Sequence, residues 1–206
     1  MSVVRRLVVA GAAAVVIGTL SLTGCTREEQ KPPAEAEPSS TPLEDFATDE
    51  VSVARAEFCA RVAPSAVADA LGGDAADSGS WANGDRTGLA DGVRDVAHEY
   101  GCSWTAADGT AARAWVFAPP VTTTEAAQLA RQAGRVDGCR TRTSAPAYGA
   151  PSTAVSCRAD GRGRTTYQGL FGDAWLTCSL EAPGAAPAPD RTGRWCVAVA
   201  QAASSS

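Results

Sequence analysis

Six cysteines, Cys59, Cys102, Cys139, Cys157, Cys178 and Cys196, restrict what this chain can fold into more than any other feature. Their number is even. No two form a CxxC pair, and the sequence holds a single histidine, His98, so the ligand spacing of a structural zinc site is missing. An oxidised framework of three disulfides is the reading that fits. Six cysteines leave fifteen pairings open. The expectation carried forward is the sequential set, Cys59–Cys102, Cys139–Cys157 and Cys178–Cys196. The last two would close short loops, each worth about 3 kcal/mol in chain-entropy terms.

A seventh cysteine bears on where such a framework can form. Met1–Arg6 carries Arg5 and Arg6, Leu7–Leu20 is uncharged and rich in Val and Ala, and Leu22, Thr23 and Gly24 lead to Cys25. A charged start, a short apolar run and small residues before a cleavage point mark a secretory signal peptide. Leu22-Thr23-Gly24-Cys25 resembles the lipobox of bacterial lipoproteins. The resemblance implies that the Cys25 thiol is joined to diacylglycerol and that residues 1–24 are removed. The protein would then be held at the extracytoplasmic face of the cell membrane, where disulfides persist. One acyl chain binds a bilayer only reversibly, whereas the two or three of a bacterial lipoprotein hold firmly. As a plain membrane span, Leu7–Gly24 is barely as long as the roughly 20 residues a bilayer needs. Arg5-Arg6 followed by Leu7-Val8 faintly resembles a twin-arginine signal, but two basic residues suit any signal peptide, and the general secretory route is expected.

The formal net charge is −5, and loss of Arg5 and Arg6 lowers it further. That excludes nucleic acid as a partner, since it demands a basic surface, and it excludes a polybasic supplement to the anchor. Lys31 is the only lysine and alanine is abundant, a usage that points to a high-GC genome. Residues 25–50 read as lipidated cysteine plus tether, with Pro32, Pro33, Pro38 and Pro42 among acidic residues and Ser39-Ser40-Thr41. Leu43 and Phe46 are the residues there best able to pack on a domain. Residues 51–206 are enough for one domain.

Within that domain Pro64 opens a short helix to Leu71, with Val67 and Leu71 on its buried face and Gly72 closing it. Gly73–Gly92 reads as a long loop holding Trp81. Residues 95–105 read as a strand. Ala107-Asp108-Gly109 supplies a hairpin turn into Ala112–Ala118. Thr122 and Glu125 form a capping box for a helix ending at Gly134. Asp137–Pro151 reads as loop. Thr153–Ala159, Arg164–Phe171 and Ala174–Glu181 read as strands, joined through Asp160-Gly161 and Gly172-Asp173. After a linker at Pro183–Pro189, Asp190 caps a last helix to about Ala202, with Trp195, Val199 and Ala202 near one face. Local hairpins imply antiparallel pairing. The expected class is therefore α+β, an antiparallel sheet with helices on one face, stapled by disulfides.

Cys59 before a short helix ending in Leu71-Gly72, followed by Cys102-Ser103-Trp104, is similar to small actinobacterial lipoproteins of unknown function. The resemblance covers about half of the domain. It implies a surface location and a disulfide-bonded α+β domain, and it hands over no catalytic residues.

The residues offer little for catalysis. A Ser-His-Asp or Cys-His arrangement would have to use His98, and no Gly-x-Ser-x-Gly elbow, phosphate-binding glycine loop or HExxH motif is present. No cofactor and no metal are therefore expected. Asp91, Asp95 and Glu99 are spaced by four, the pattern of a helix face. Paired carboxylates of that kind are the one route to a small envelope hydrolase. The tryptophans are the better lead. Trp104, Trp115, Trp175 and Trp195 lie in patterned segments and are expected in the core. Trp81 has no patterned neighbours and is expected to be solvent-exposed, where an indole ring stacks on sugars or anchors a protein partner. The expectation is a non-enzymatic binding or interaction module of the cell envelope. A transport-feeding receptor normally has two lobes, more than this chain supplies.

Overall fold

A computed structural model describes residues 41–90 and 93–205. The residues read as signal peptide and lipobox with Cys25, those read as tether up to Ser40, and Asp91 lie outside the described residues.

Seven antiparallel strands make one sheet in the order β1-β4-β5-β9-β8-β7-β6. They are β1 (Ala75–Trp81), β4 (Glu99–Ala106), β5 (Ala111–Phe117), β6 (Cys139–Thr141), β7 (Ser152–Ala159), β8 (Arg162–Phe171) and β9 (Ala174–Pro183). Strands β2 (Arg86–Ala90) and β3 (Val93–Val96) pair separately as a hairpin. The helices are α1 (Pro64–Leu71), α2 (Thr123–Ala133) and α3 (Pro189–Ala203). The class is α+β, antiparallel and disulfide-stapled, as expected. One detail differs. Helices α1 and α3 cover the face bearing Cys102, Ala114, Tyr167, Leu176 and Cys178, whereas Ala126 of α2 packs with Leu170 and Trp175. Leu170 opposes Trp175 and Phe171 opposes Ala174, so strand alternation puts α2 on the other face.

Central β8 and β9 are buried along most of their length, because both faces of the sheet are covered there; Arg162, Arg164, Gln168 and Glu181 are the partly exposed charged and amide side chains. Helix α3 is buried on most of its circumference, at Trp195, Cys196, Val197, Val199 and Ala200 among others. It packs against the sheet, α1 and the N-terminal segment, and Asp190, Arg194 and Gln201 take its exposed side. Leu43, 3 % exposed, packs against Gly193 of α3, and Phe46 packs against the same core. Packing therefore reaches back to Leu43, ahead of Val51. A short bridge joins Val53 to Ser204, and Arg61 Nε donates to Ala202 O at 2.6 Å, which ties both ends of the domain together.

The disulfides join Cys59–Cys102, Cys139–Cys157 and Cys178–Cys196, the sequential pairs. The first fastens the segment before α1 to β4. The second links directly opposed residues of β6 and β7, and the third bolts α3 to β9.

Several local expectations hold. Gly72 closes α1 with φ 76°, and Thr122 and Glu125 form the reciprocal capping box of α2. The Asp108 carboxylate accepts the Thr110 N–H at 2.8 Å, a bond that lowers its pKa and fixes the β4–β5 turn. Others need correction. The Gly73–Gly92 loop instead holds β1 and β2, and the 137–151 loop contains β6. Both β1 and β6 are edge strands whose side chains are mostly exposed, so neither carries an apolar alternation to read. The single strand at 95–105 is broken at Ala97-His98 into β3 and β4. Ala97 turns its backbone to Gly84 and Asp85. Helix α3 starts with Pro189 in its first turn after Ala188, without a side-chain cap from Asp190.

Candidate functional site

Trp81 closes β1 at the sheet edge, and it is half-buried rather than solvent-exposed. The physical reason is a glycine. Trp81 opposes Gly101 of β4, and a Cβ at Gly101 would run into Trp81 Cζ2 and Cε2. The missing side chain makes a floor for the indole. The Trp81 Nε1–H donates to Glu99 Oε1 at 2.9 Å, which fixes the ring's orientation along the strand. Glu99 is half-buried. Burial pushes its pKa up, and the bond from Trp81 pulls it partly back.

On the other side of β4, Gly101 opposes Trp115 of β5. Trp81, Gly101 and Trp115 therefore lie in one row across three strands and share a face of the sheet. Trp115 is half-buried as well. Helix α2 packs on β7 and β8, farther along that face. The result is two indoles spaced by a glycine, with the Glu99 carboxylate beside one of them. Trp104 instead faces α3 and meets Trp195 edge-on at 5.5 Å, while Trp175 and Trp195 are buried.

A cavity of about 340 Å³ adjoins Trp81. Glu57, Phe58, Cys59 and Arg61, from the segment before α1, form one side, and Asp85 stands across from them near the end of β1. The Cys59–Cys102 disulfide holds that segment against β4. The cavity thus has an aromatic wall, two carboxylates and one guanidinium.

Asp95 and Glu99 do not share a helix face, and Asp91 lies outside the described residues. Asp95 is exposed on β3, where its own carboxylate accepts the Val96 N–H, and Glu99 belongs to β4 in the larger sheet. His98 is exposed between those strands. Among the described residues no three His, Cys, Asp or Glu side chains are grouped to hold a metal ion, and no helix is long and apolar enough to cross a membrane. The partners of Trp81 were missed in the sequence. Gly101 in Tyr100-Gly101-Cys102, a glycine inside an aromatic strand, was the available signal for a close approach.

No family model matches the sequence, and it matches neither a curated protein nor a solved structure.

Proposed function

We propose that this protein is a membrane-anchored, extracytoplasmic lipoprotein whose domain is a non-catalytic binding module of the cell envelope, with Trp81 at its contact surface. The observation that carries the reading is the row Trp81–Gly101–Trp115. Two partly exposed indoles share one face of the sheet, one of them oriented by Glu99. Half-exposed rings on strands offer apolar area with little conformational entropy left to lose, which is what a recognition surface needs. The anchor at Cys25 rests on the lipobox resemblance, and the envelope component bound is a glycan fragment or a protein partner.

A thermal-shift screen of the full chain against cell-wall fragments and sugars tests the reading. A ligand at a hundredfold excess over its Kd adds about 2.7 kcal/mol of stability. The expected result is a shift that Trp81→Ala abolishes. A shift left intact by both Trp81→Ala and Trp115→Ala would remove the site from consideration. A flat screen moves the reading to a protein partner, sought by crosslinking in cells.

A small envelope hydrolase using paired carboxylates is the second reading. It is favoured by Glu99, whose raised pKa suits a proton donor, with Glu57 and Asp85 lining the adjoining cavity. Turnover of a screened glycan that Glu99→Gln stops, without loss of binding, would favour it over the first.

A further inference from the structure

The edge of the sheet opposite Trp81 carries a second, larger groove of about 880 Å³. Register explains its chemistry. Arg140 of β6 opposes Ser156 of β7, Ser156 opposes Thr165 of β8, and Arg158 opposes Gly163. Strand alternation puts Arg140, Ser156 and Arg158 on one face, and Arg142 continues the β6 edge on that face, its N–H bonded to Ala154 O. The connection after β9 makes a wall. The backbone of Ala186 occupies the place where a Cβ of Gly163 would stand, and Thr165 Oγ1 donates to Pro187 O at 2.9 Å.

Three arginines thus line one groove whose remaining polar side chains are the hydroxyls of Thr141, Thr143, Ser144 and Ser156. No carboxylate lines it, in a chain with formal net charge −5. Among the described residues Arg140, Arg142 and Arg158 take part in no ion pair, whereas Arg162 and Arg164 both reach Glu181. Arg142 is the sharpest case. Its Nη1 reaches Ser156 Oγ only at 3.4 Å, and its Nε is shielded from solvent with no hydrogen-bond partner. A shielded guanidinium with unused donors is costly unless an anion meets it. Asp190 and Glu44 oppose Arg142 in their effect on the nearby Tyr167 phenol, but neither lines the groove.

We propose that this groove is an oxyanion site that takes a phosphate group, free or as part of a larger ester or headgroup, through Arg140, Arg142 and Arg158. One planar guanidinium fork satisfies a carboxylate. Three forks with hydroxyl donors between them match the several oxygens and higher charge of a phosphate. The volume leaves space for the organic part of an ester beside the anion. The site is independent of the Trp81 surface, from which the width of the sheet separates it.

The test uses the full chain in nonionic detergent, titrated with inorganic phosphate against chloride at matched ionic strength, with heat and thermal shift as readouts. A second arm measures retention on equimolar phosphatidylcholine–phosphatidylglycerol vesicles. Arg140→Gln/Arg158→Gln changes two exposed side chains, so packing is preserved, and both proteins keep the same N-terminal residues. Saturable phosphate binding that the double variant weakens by at least about tenfold supports the proposal. Vesicle retention that falls in the double variant, without a phosphate response, also supports it and identifies a headgroup as the source. Arg142→Lys keeps the charge and loses the fork, so it should weaken binding as well, and it serves if the double variant fails to fold. Phosphate binding unchanged in these variants, or no phosphate response together with equal vesicle retention, overturns it.

Discussion

Trp81 lies over Gly101, one strand away, in the space that any side chain at residue 101 would fill. Gly101→Ala should therefore displace the indole and cost about 1–3 kcal/mol, the usual penalty of overpacking. The denaturation midpoint and the tryptophan fluorescence should move together. Trp81→Ala in the Gly101→Ala background should recover part of the loss. An unchanged midpoint and spectrum in the single variant would contradict the contact.

Glu99 gives a pH dependence with a definite sign. Its folded pKa is raised by burial, so the folded state holds its proton when the unfolded chain has lost it. Its unfavourable contribution is absent below the ordinary glutamate value of about 4.3 and grows as pH rises through the raised folded value. Glu99→Gln can still accept from Trp81. It should match wild type near pH 4 and become the more stable protein near pH 7, by about a few tenths of a kcal/mol because solvent screens the half-exposed group. Parallel stability curves across that range would count against a perturbed Glu99.

Tyr148 is wholly buried, with its O–H donating to Cys196 O at 3.1 Å, and burial pushes its pKa well above the ordinary phenol value. The unfolded chain ionises this group near pH 10 while the folded protein does not, so stability falls as pH rises through that value. Spectrophotometric titration should show that the Tyr148 phenol ionises only on unfolding, with Tyr167 also shifted upward by burial. Tyr148→Phe should remove one tyrosine from the late-ionising signal and cost about 1 kcal/mol at neutral pH.

Cys178 and Cys196 are both fully buried and close a loop with a sequence separation of 18. Replacing both with alanine should cost about 2–5 kcal/mol in chemical denaturation. Intact mass before and after alkylation of the unreduced protein should show no free thiol among the six domain cysteines. Two or more modified thiols would dismantle the three-disulfide framework.

Cys25→Ser tests the anchor separately from the fold. The variant should remain unprocessed or leave the membrane fraction, while its domain keeps the wild-type thermal midpoint. Normal cleavage with full membrane retention would remove the lipobox reading.

Much of the core was readable because it repeats a local rule. Val67 and Leu71 are four apart on α1, Thr122 and Glu125 satisfy each other's end of α2, and Asp108 bonds the second residue beyond it. Each depends on residues within one turn of one another. Edge strands β1 and β6 follow no such rule. Their backbone bonds come from β4 and β7, and their side chains face solvent, so the pattern that marks a half-buried strand never arises.

By itself the sequence determined the class, an antiparallel α+β domain with an even set of cysteines, because short-range periodicity, turns and caps are fixed by neighbouring residues. Only the tertiary structure decided what meets across strands. It set Trp81 on Gly101, drew Leu43 onto Gly193, moved α2 to the far face and brought Arg140, Arg142 and Arg158 into one groove. The reason is that strand register joins residues far apart in the chain, and register is set by the packing of the whole sheet, which no single segment encodes.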